Sequence, residues 1–131
     1  MNFVFRYRVG YYETDRMDVL HHARVFEIME RARTELLRAR GRSYRQLEEA
    51  GLQLPVIRAE ASYRAPIRYD DEVQVEVAVE AVDRVRIVFQ YAFLLAGRTA
   101  VLGRTEHVFL RQGRLYRLTP QELQQFQELL R

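Results

Sequence analysis

The sequence predicts an α+β protein in which one long helix covers the apolar face of a mainly antiparallel sheet. Three observations predict it. Residues 22–40 carry their apolar side chains at helical spacing, and most of the chain after Pro55 alternates at the period of a strand. No repeated strand–helix–strand unit of the kind that builds a parallel sheet is present.

The elements follow in order. Residues 3–12 alternate, with Phe5, Tyr7, Val9 and Tyr11 on one side and Arg6 and Arg8 on the other, the pattern of a half-buried strand. From His22 to Arg40 the period changes: Val25, Ile28, Met29, Ala32 and Leu36 form one stripe. Glu27, Glu30, Arg31, Glu35 and Arg38 form the other, with Glu27 and Arg31 spaced for an i,i+4 ion pair. Gly41 is expected to stop this helix in the left-handed conformation. "SYRQLEEAG" reads as a short second helix capped by Ser43 and closed by Gly51.

"VIRAEASYRAPIRY" is extended, with Pro66 marking a bulge or an edge. "EVQVEVAVEAV" points Val73, Val75, Val77 and Val79 to one face. "DRV" turns the chain into Val85, Ile87, Phe89, Tyr91 and Phe93, "AGRT" turns it into a strand over 100–110, and "RQGR" into a short strand near Leu115. Thr119-Pro120-Gln121-Glu122 is a capping box with proline at the first helical position, so the chain closes on a helix.

Composition narrows the function. A chain of 131 residues with 48% apolar content and no linker or repeat is expected to be one domain, 1–131. No run of eighteen apolar residues exists, so no membrane association is expected. "MNFVFRYRVG" lacks a signal-peptide core, which points to a cytoplasmic protein. The absence of cysteine excludes disulfides, thiolate zinc sites and a cysteine nucleophile. All 21 basic residues are arginine, yet the net charge is only +3 and the arginines are interspersed with glutamates. That is not the one-sided basic face of a duplex binder, and no RNA-recognition motif accompanies the Tyr/Arg alternation of "FRYRVGYY", so nucleic acid is not an expected partner. No glycine-rich phosphate loop is present, and the adjacent His21 and His22 lack a glutamate at helical metal spacing, so neither a cofactor nor a metal is expected.

The informative stretch is "YYETDRMDVLHHARVFEIMERARTELLRARG". It places Asp15, Asp18, His21 and His22 within eight residues, where the first strand hands over to the long helix. Turn and capping chemistry accounts for such side chains on its own, and an active site is the alternative. The start of a helix supplies N–H groups with no internal partner and the positive end of a dipole.

This stretch resembles the signature of the 4-hydroxybenzoyl-CoA thioesterase-like hotdog-fold family of acyl-CoA thioester hydrolases. In that family a strand ends in an aspartate, a short loop follows, and the residue seven positions on opens the hotdog helix. Asp15 and His22 have that spacing, and "ERARTELLR" resembles the family's helix. "ASYRAPIRYDDEVQVEV", "GRTEHVFL" and "LTPQEL" resemble its later blocks, so the likeness covers nearly the whole chain. The resemblance implies a curved, mainly antiparallel sheet wrapped around one long helix. It implies a homodimer or homotetramer with the active site at the subunit interface, and hydrolysis of acyl-CoA. Asp15 would attack the thioester or serve as base toward a water, and the main-chain N–H of His22 would stabilise the oxyanion. The ring of His22 either orients Asp15 or packs in the first turn, and His107 is expected to fill a structural slot.

One departure stands out. Family members often carry glycine where this chain has Asp18. Aspartate is among the less costly non-glycine residues at positive φ, and a second carboxylate makes Asp18 a candidate modulator that favours base catalysis or repels an anionic acyl group. Coenzyme A needs cations for its phosphates. The family's basic hairpin points first to Arg84 and Arg86 in "VDRVRIV", with Arg64 and Arg68 in "YRAPIRY" second. An acyl-acyl-carrier-protein thioesterase and a non-catalytic acyl-CoA-binding module are the alternatives.

Overall fold

The computed structural model describes residues 2–128. Strand β1 (Phe3–Arg8) leads through a 3-10 turn at Tyr11–Glu13 to helix α1 (His22–Ala39), followed by α2 (Tyr44–Glu49). Then come β2 (Leu52–Gln53), β3 (Val56–Tyr63), β4 (Glu72–Val82), β5 (Arg86–Leu95), β6 (Arg98–Val108), β7 (Leu110–Arg111), β8 (Arg114–Leu115) and α3 (Pro120–Gln127). The main sheet has the order β1-β4-β5-β6-β3, with each neighbouring pair antiparallel. A small sheet, β2-β7-β8, closes one end. This is the α+β hotdog arrangement expected from the sequence.

The valines at 73, 75, 77 and 79 all point inward from β4, and Ile87, Phe89, Tyr91 and Phe93 do so from β5. Against them α1 sets the expected stripe of Val25, Ile28, Met29, Ala32 and Leu36, extended by Leu37. The helix approaches β6 closely at Gly103, where an added Cβ would overlap Met29 Cε, so glycine leaves the space that the methionine fills. Gly41 adopts φ 84° just past the end of α1, as expected. Ser43 and Thr119 both cap their helices through complete capping boxes. No helix among the described residues is long and apolar enough to cross a membrane.

Three expectations are corrected. The first strand ends at Arg8 rather than continuing to residue 12, because the Gly10 N–H donates to Glu13 Oε1 at 2.7 Å and the chain coils into the 3-10 turn. Glu27 pairs with Arg24 at 2.9 Å, while Arg31 turns over the rings of Phe5 and Tyr7, 5.2 and 5.5 Å away. Stacking on two aromatic faces replaces the expected i,i+4 pair. The extended segment after Pro55 leaves the sheet at Tyr63, before Pro66, because the N–H groups of Arg64 and Ala65 both turn to the Ala100 carbonyl.

Candidate active site

The turn between β1 and α1 is closed by main-chain bonds. The Asp15 N–H donates to the Val19 carbonyl at 2.9 Å, Thr14 bridges Leu20, and the His21 N–H donates to the Glu13 carbonyl at 2.9 Å. The carboxylate of Asp15 helps hold this loop, since its Oδ1 accepts the Met17 N–H at 2.8 Å and the Val19 N–H at 3.5 Å. Among the described residues its Oδ2 accepts no hydrogen bond. The turn-capping role and an oxygen without a hydrogen-bond partner therefore coexist in one side chain. Asp18 has φ 63°, the left-handed region in which aspartate is tolerated and glycine favoured.

The first turn of α1 is capped in an unusual way. His21 is the N-cap, and its Nδ1 accepts the Ala23 N–H at 3.2 Å, while the Arg24 N–H donates to the His21 carbonyl at 2.9 Å. The His21 and His22 rings stack with centroids 4.4 Å apart. These bonds leave the main-chain N–H of His22 without an acceptor among the described residues. A helix N-terminus with one N–H unspent is a ready anion donor.

Asp15 and His22 line the same cleft, of about 400 Å³, together with Tyr63, Arg64 and an apolar wall that includes Val19, Leu20, Val25, Ile67 and Val101. On the other side of the loop, a second hollow is lined by Asp15, Asp18, Arg68 and the exposed rings of Tyr11, Tyr12 and Tyr69. Behind both, Glu13 is buried and engages the Tyr7 hydroxyl, which fixes the 3-10 turn from which the Asp15 loop departs.

Residues 9–127 match the model of the thioesterase-like superfamily. The chain belongs to that superfamily. It is 30% identical over 124 residues, covering 95% of this chain and 97% of the other, to a protein of Aquifex aeolicus described only as an esterase. To the acyl-CoA thioester hydrolase YbgC of Escherichia coli it is 32% identical over 92 residues, 70% of this chain and 69% of that one. Its fold is similar to the crystal structure of a DHNA-CoA thioesterase from Staphylococcus aureus, with a TM-score of 0.90 at 27% identity over 97% of this chain and 89% of that one. These likenesses place the chain among the thioesterase enzymes.

Of the residues singled out from the sequence, this thioesterase-family fold brings Asp15, His22 and Arg64 into one cleft, with Asp18 and Arg68 around the adjoining hollow. It does not bring Arg84 and Arg86 there within one chain. Arg84 lies in the β4–β5 turn and Arg86 opens β5, at the end of an 11-residue strand that starts beside the site, about 35 Å away. Arg84 is partly committed: its Nε donates to the Leu118 carbonyl at 2.7 Å, and its own carbonyl accepts the Leu118 N–H at 2.8 Å. Arg86 is exposed. His107 fills a buried structural slot, as expected. Among the described residues no group of three or more acidic or histidine side chains is arranged to hold a metal. Tyr63 and Glu13 were not singled out from the sequence. Tyr63 sits in an alternating strand-like segment, where nothing in the pattern distinguishes a polar group aimed at the site from an ordinary strand residue, and Glu13 follows directly on one, in the 3-10 turn.

Proposed function

We propose that this chain hydrolyses acyl-CoA thioesters in the cleft between the Asp15 loop and the start of α1. The observation that carries the reading is the pairing of an unspent carboxylate oxygen on Asp15 with an unspent N–H on His22 along one cleft. The thioester carbonyl oxygen takes the His22 N–H as negative charge develops on it, and the carbonyl carbon faces Asp15. A new C–O bond forms, either from Asp15 itself or from a water that Asp15 deprotonates. The C–S bond then breaks and coenzyme A leaves as its thiolate, which takes up a proton from Asp15 in the base route and from the water that later opens the anhydride in the nucleophilic route. In the first route water subsequently cleaves the mixed anhydride, so both routes consume one water and give acid and thiol. The apolar wall of the cleft suits an acyl chain. Release of free thiol from a panel of short, long and aromatic acyl-CoAs tests the reading and ranks the acyl groups. Binding without thiol release would favour the acyl-CoA-binding module instead, and faster release from acyl-carrier-protein thioesters would favour that carrier.

The active unit in this proposal is a cytoplasmic homodimer or homotetramer. Strand β3 is an edge strand, and Val56, Ile57 and Tyr63 on it are 44, 49 and 51% exposed. Such an edge invites pairing with a second copy. Light scattering at micromolar concentration should then report a dimer or tetramer, and a fully active monomer would contradict a shared site. Antiparallel pairing of two β3 strands carries the far end of the partner's sheet next to this chain's cleft. The partner's β4–β5 turn then stands three strand spacings, about 14 Å, to the side.

The arginines therefore divide into two sets toward coenzyme A, Arg64 and Arg68 in the same chain and Arg86 with Arg84 from the partner. Phosphate contacts are equal in ground and transition states, so their loss should raise KM and leave kcat. Arg64→Ala with Arg68→Ala is expected to raise KM for acyl-CoA roughly tenfold, less at high salt, and Arg86→Ala by a smaller factor. An acyl-N-acetylcysteamine, which has no phosphate, should be hydrolysed equally by all of them. A parent-like KM in the double variant would remove Arg64 and Arg68 from the phosphate site.

A further inference from the structure

We infer that Tyr63 is a positioning residue for this site: its hydroxyl holds the first residue of α1 so that the His22 N–H keeps a fixed separation from the Asp15 carboxylate. The inference rests on the thioesterase reading and adds to it the part that sets its geometry. Tyr63 is the last residue of β3, opposite Val101 on β6, and it lines the cleft beside Asp15 and His22. Its hydroxyl donates to the main-chain carbonyl of His22 at 3.2 Å. A helix of this length satisfies that carbonyl from its own ladder. The bond from Tyr63 is therefore an extra one, and it ties the helix start sideways to the end of the sheet.

The attacking carboxylate and the oxyanion donor belong to different elements, a loop and a helix. The short segment from Tyr63 to Ile67 grips both. At one end Tyr63 holds His22, and four residues on, the Ile67 carbonyl accepts the Leu20 N–H at 2.7 Å, where the Asp15 loop ends. Between them the N–H groups of Arg64 and Ala65 are anchored on the Ala100 carbonyl at 2.8 and 3.1 Å. A brace fixed to β6 thus spans the two halves of the site. Sub-ångström errors in such a separation cost rate without costing affinity, because only the transition state needs both groups at once. Packing within the chain does not require the hydroxyl, since a phenylalanine would fill the same place at the end of β3.

Tyr63→Phe, which keeps the ring and removes only the hydroxyl, tests the inference on an acyl-CoA that the parent hydrolyses. The expected result is a kcat lowered roughly five- to tenfold, with KM within twofold of the parent and an unchanged melting temperature. A lower melting temperature with parent-like kcat would make the bond purely structural. A raised KM with parent-like kcat would make Tyr63 a wall of the acyl site. Either outcome overturns the positioning role. Absence of thiol release by the parent itself would remove the thioesterase reading and this inference with it. A parent that turns over alongside an equally active Tyr63→Phe removes the inference alone.

Discussion

Replacing Asp15 by asparagine should lower kcat by about 10²–10⁴ while the protein stays folded and still binds acyl-CoA. The asymmetry of the two carboxylate oxygens is the reason. Oδ1 is spent on the Met17 and Val19 N–H groups, and the asparagine side-chain oxygen can take over that duty, so the loop survives. Oδ2 has no partner among the described residues and is the oxygen the proposal assigns to the chemistry; the substitution turns it into an amide nitrogen that neither attacks a carbonyl nor accepts a proton. Steady-state rates of thiol release, with binding of a thioether analogue as the control, separate the two roles. Near-normal turnover would shift the chemistry to Asp18 or to a carboxylate on α1. Multiple turnovers of the parent in ¹⁸O-water reveal the nucleophilic route where water opens the anhydride at the Asp15 carbonyl: label in the Asp15 carboxylate establishes that route, whereas the base route places label only in the product acid.

Acid should destabilise the protein through His107, and the size of the effect follows from a hydrogen-bonded chain in the core. His107 is fully buried, and its Nδ1 lies 3.0 Å from the Leu54 carbonyl, which can only accept, so Nδ1 carries the proton. Nε2 then accepts from the Thr105 hydroxyl at 2.9 Å, and the Thr105 oxygen accepts from the Tyr91 hydroxyl at 2.7 Å. Arg33 donates to the Tyr91 oxygen at 3.5 Å. Burial, above all, keeps the Tyr91 phenol above its ordinary range, so it remains a donor. A second proton on His107 would set two donors face to face and force the whole chain to reverse.

Burial, aided by the nearby Arg33 charge and opposed by the Leu54 bond, pushes the His107 pKa from 6.5 down to about 4. The unfolded chain then binds this proton at a higher pH than the folded one. The contribution is fully present above about pH 6.5, is lost as pH falls toward 4, and amounts to on the order of 3 kcal/mol. Urea unfolding at pH 7, 5.5 and 4.5, for the parent and for His107→Gln, should show the loss in the parent and a flatter response in the variant. Carboxylates titrate alike in both, so parallel curves would contradict the assignment.

The fold was legible because its periods are clean. The valine alternation of β4 and the stripe on α1 each admit one buried face, and capping boxes at Ser43 and Thr119 mark the helix starts. Asp15 and His22 stood out at a strand-to-helix junction, where spacing alone reads equally as turn capping, and the resemblance to the thioesterase family made them site candidates. What the sequence did not disclose is long-range and polar. The Glu13 carboxylate takes the Gly10 N–H and the Tyr7 hydroxyl and so ends β1 four residues early, and no periodicity reports it. Arg31 chose two aromatic rings from β1 over the glutamate one turn before it. The reach of Tyr63 to His22 spans 41 residues of sequence and depends on how β3 meets the start of α1. The distance of Arg84 and Arg86 from Asp15 is likewise a matter of strand direction, because a hairpin close in sequence to β4 stands at the wrong end of it.

The central claim is that the Asp15 and His22 cleft is built for a thioester carried on coenzyme A. The Aquifex aeolicus relative is described only as an esterase, and a carboxylate facing an N–H suits attack on an oxygen ester as well. The most direct measurement is kcat/KM for one acyl group presented to the parent in two forms, as its coenzyme A thioester and as a simple oxygen ester. The expected result is thiol release from the thioester at least a hundredfold more efficient than hydrolysis of the ester, since the thiolate leaves more readily and the arginines hold the nucleotide. Ester hydrolysis of equal or greater efficiency, with no thiol released from the coenzyme A form, would contradict it.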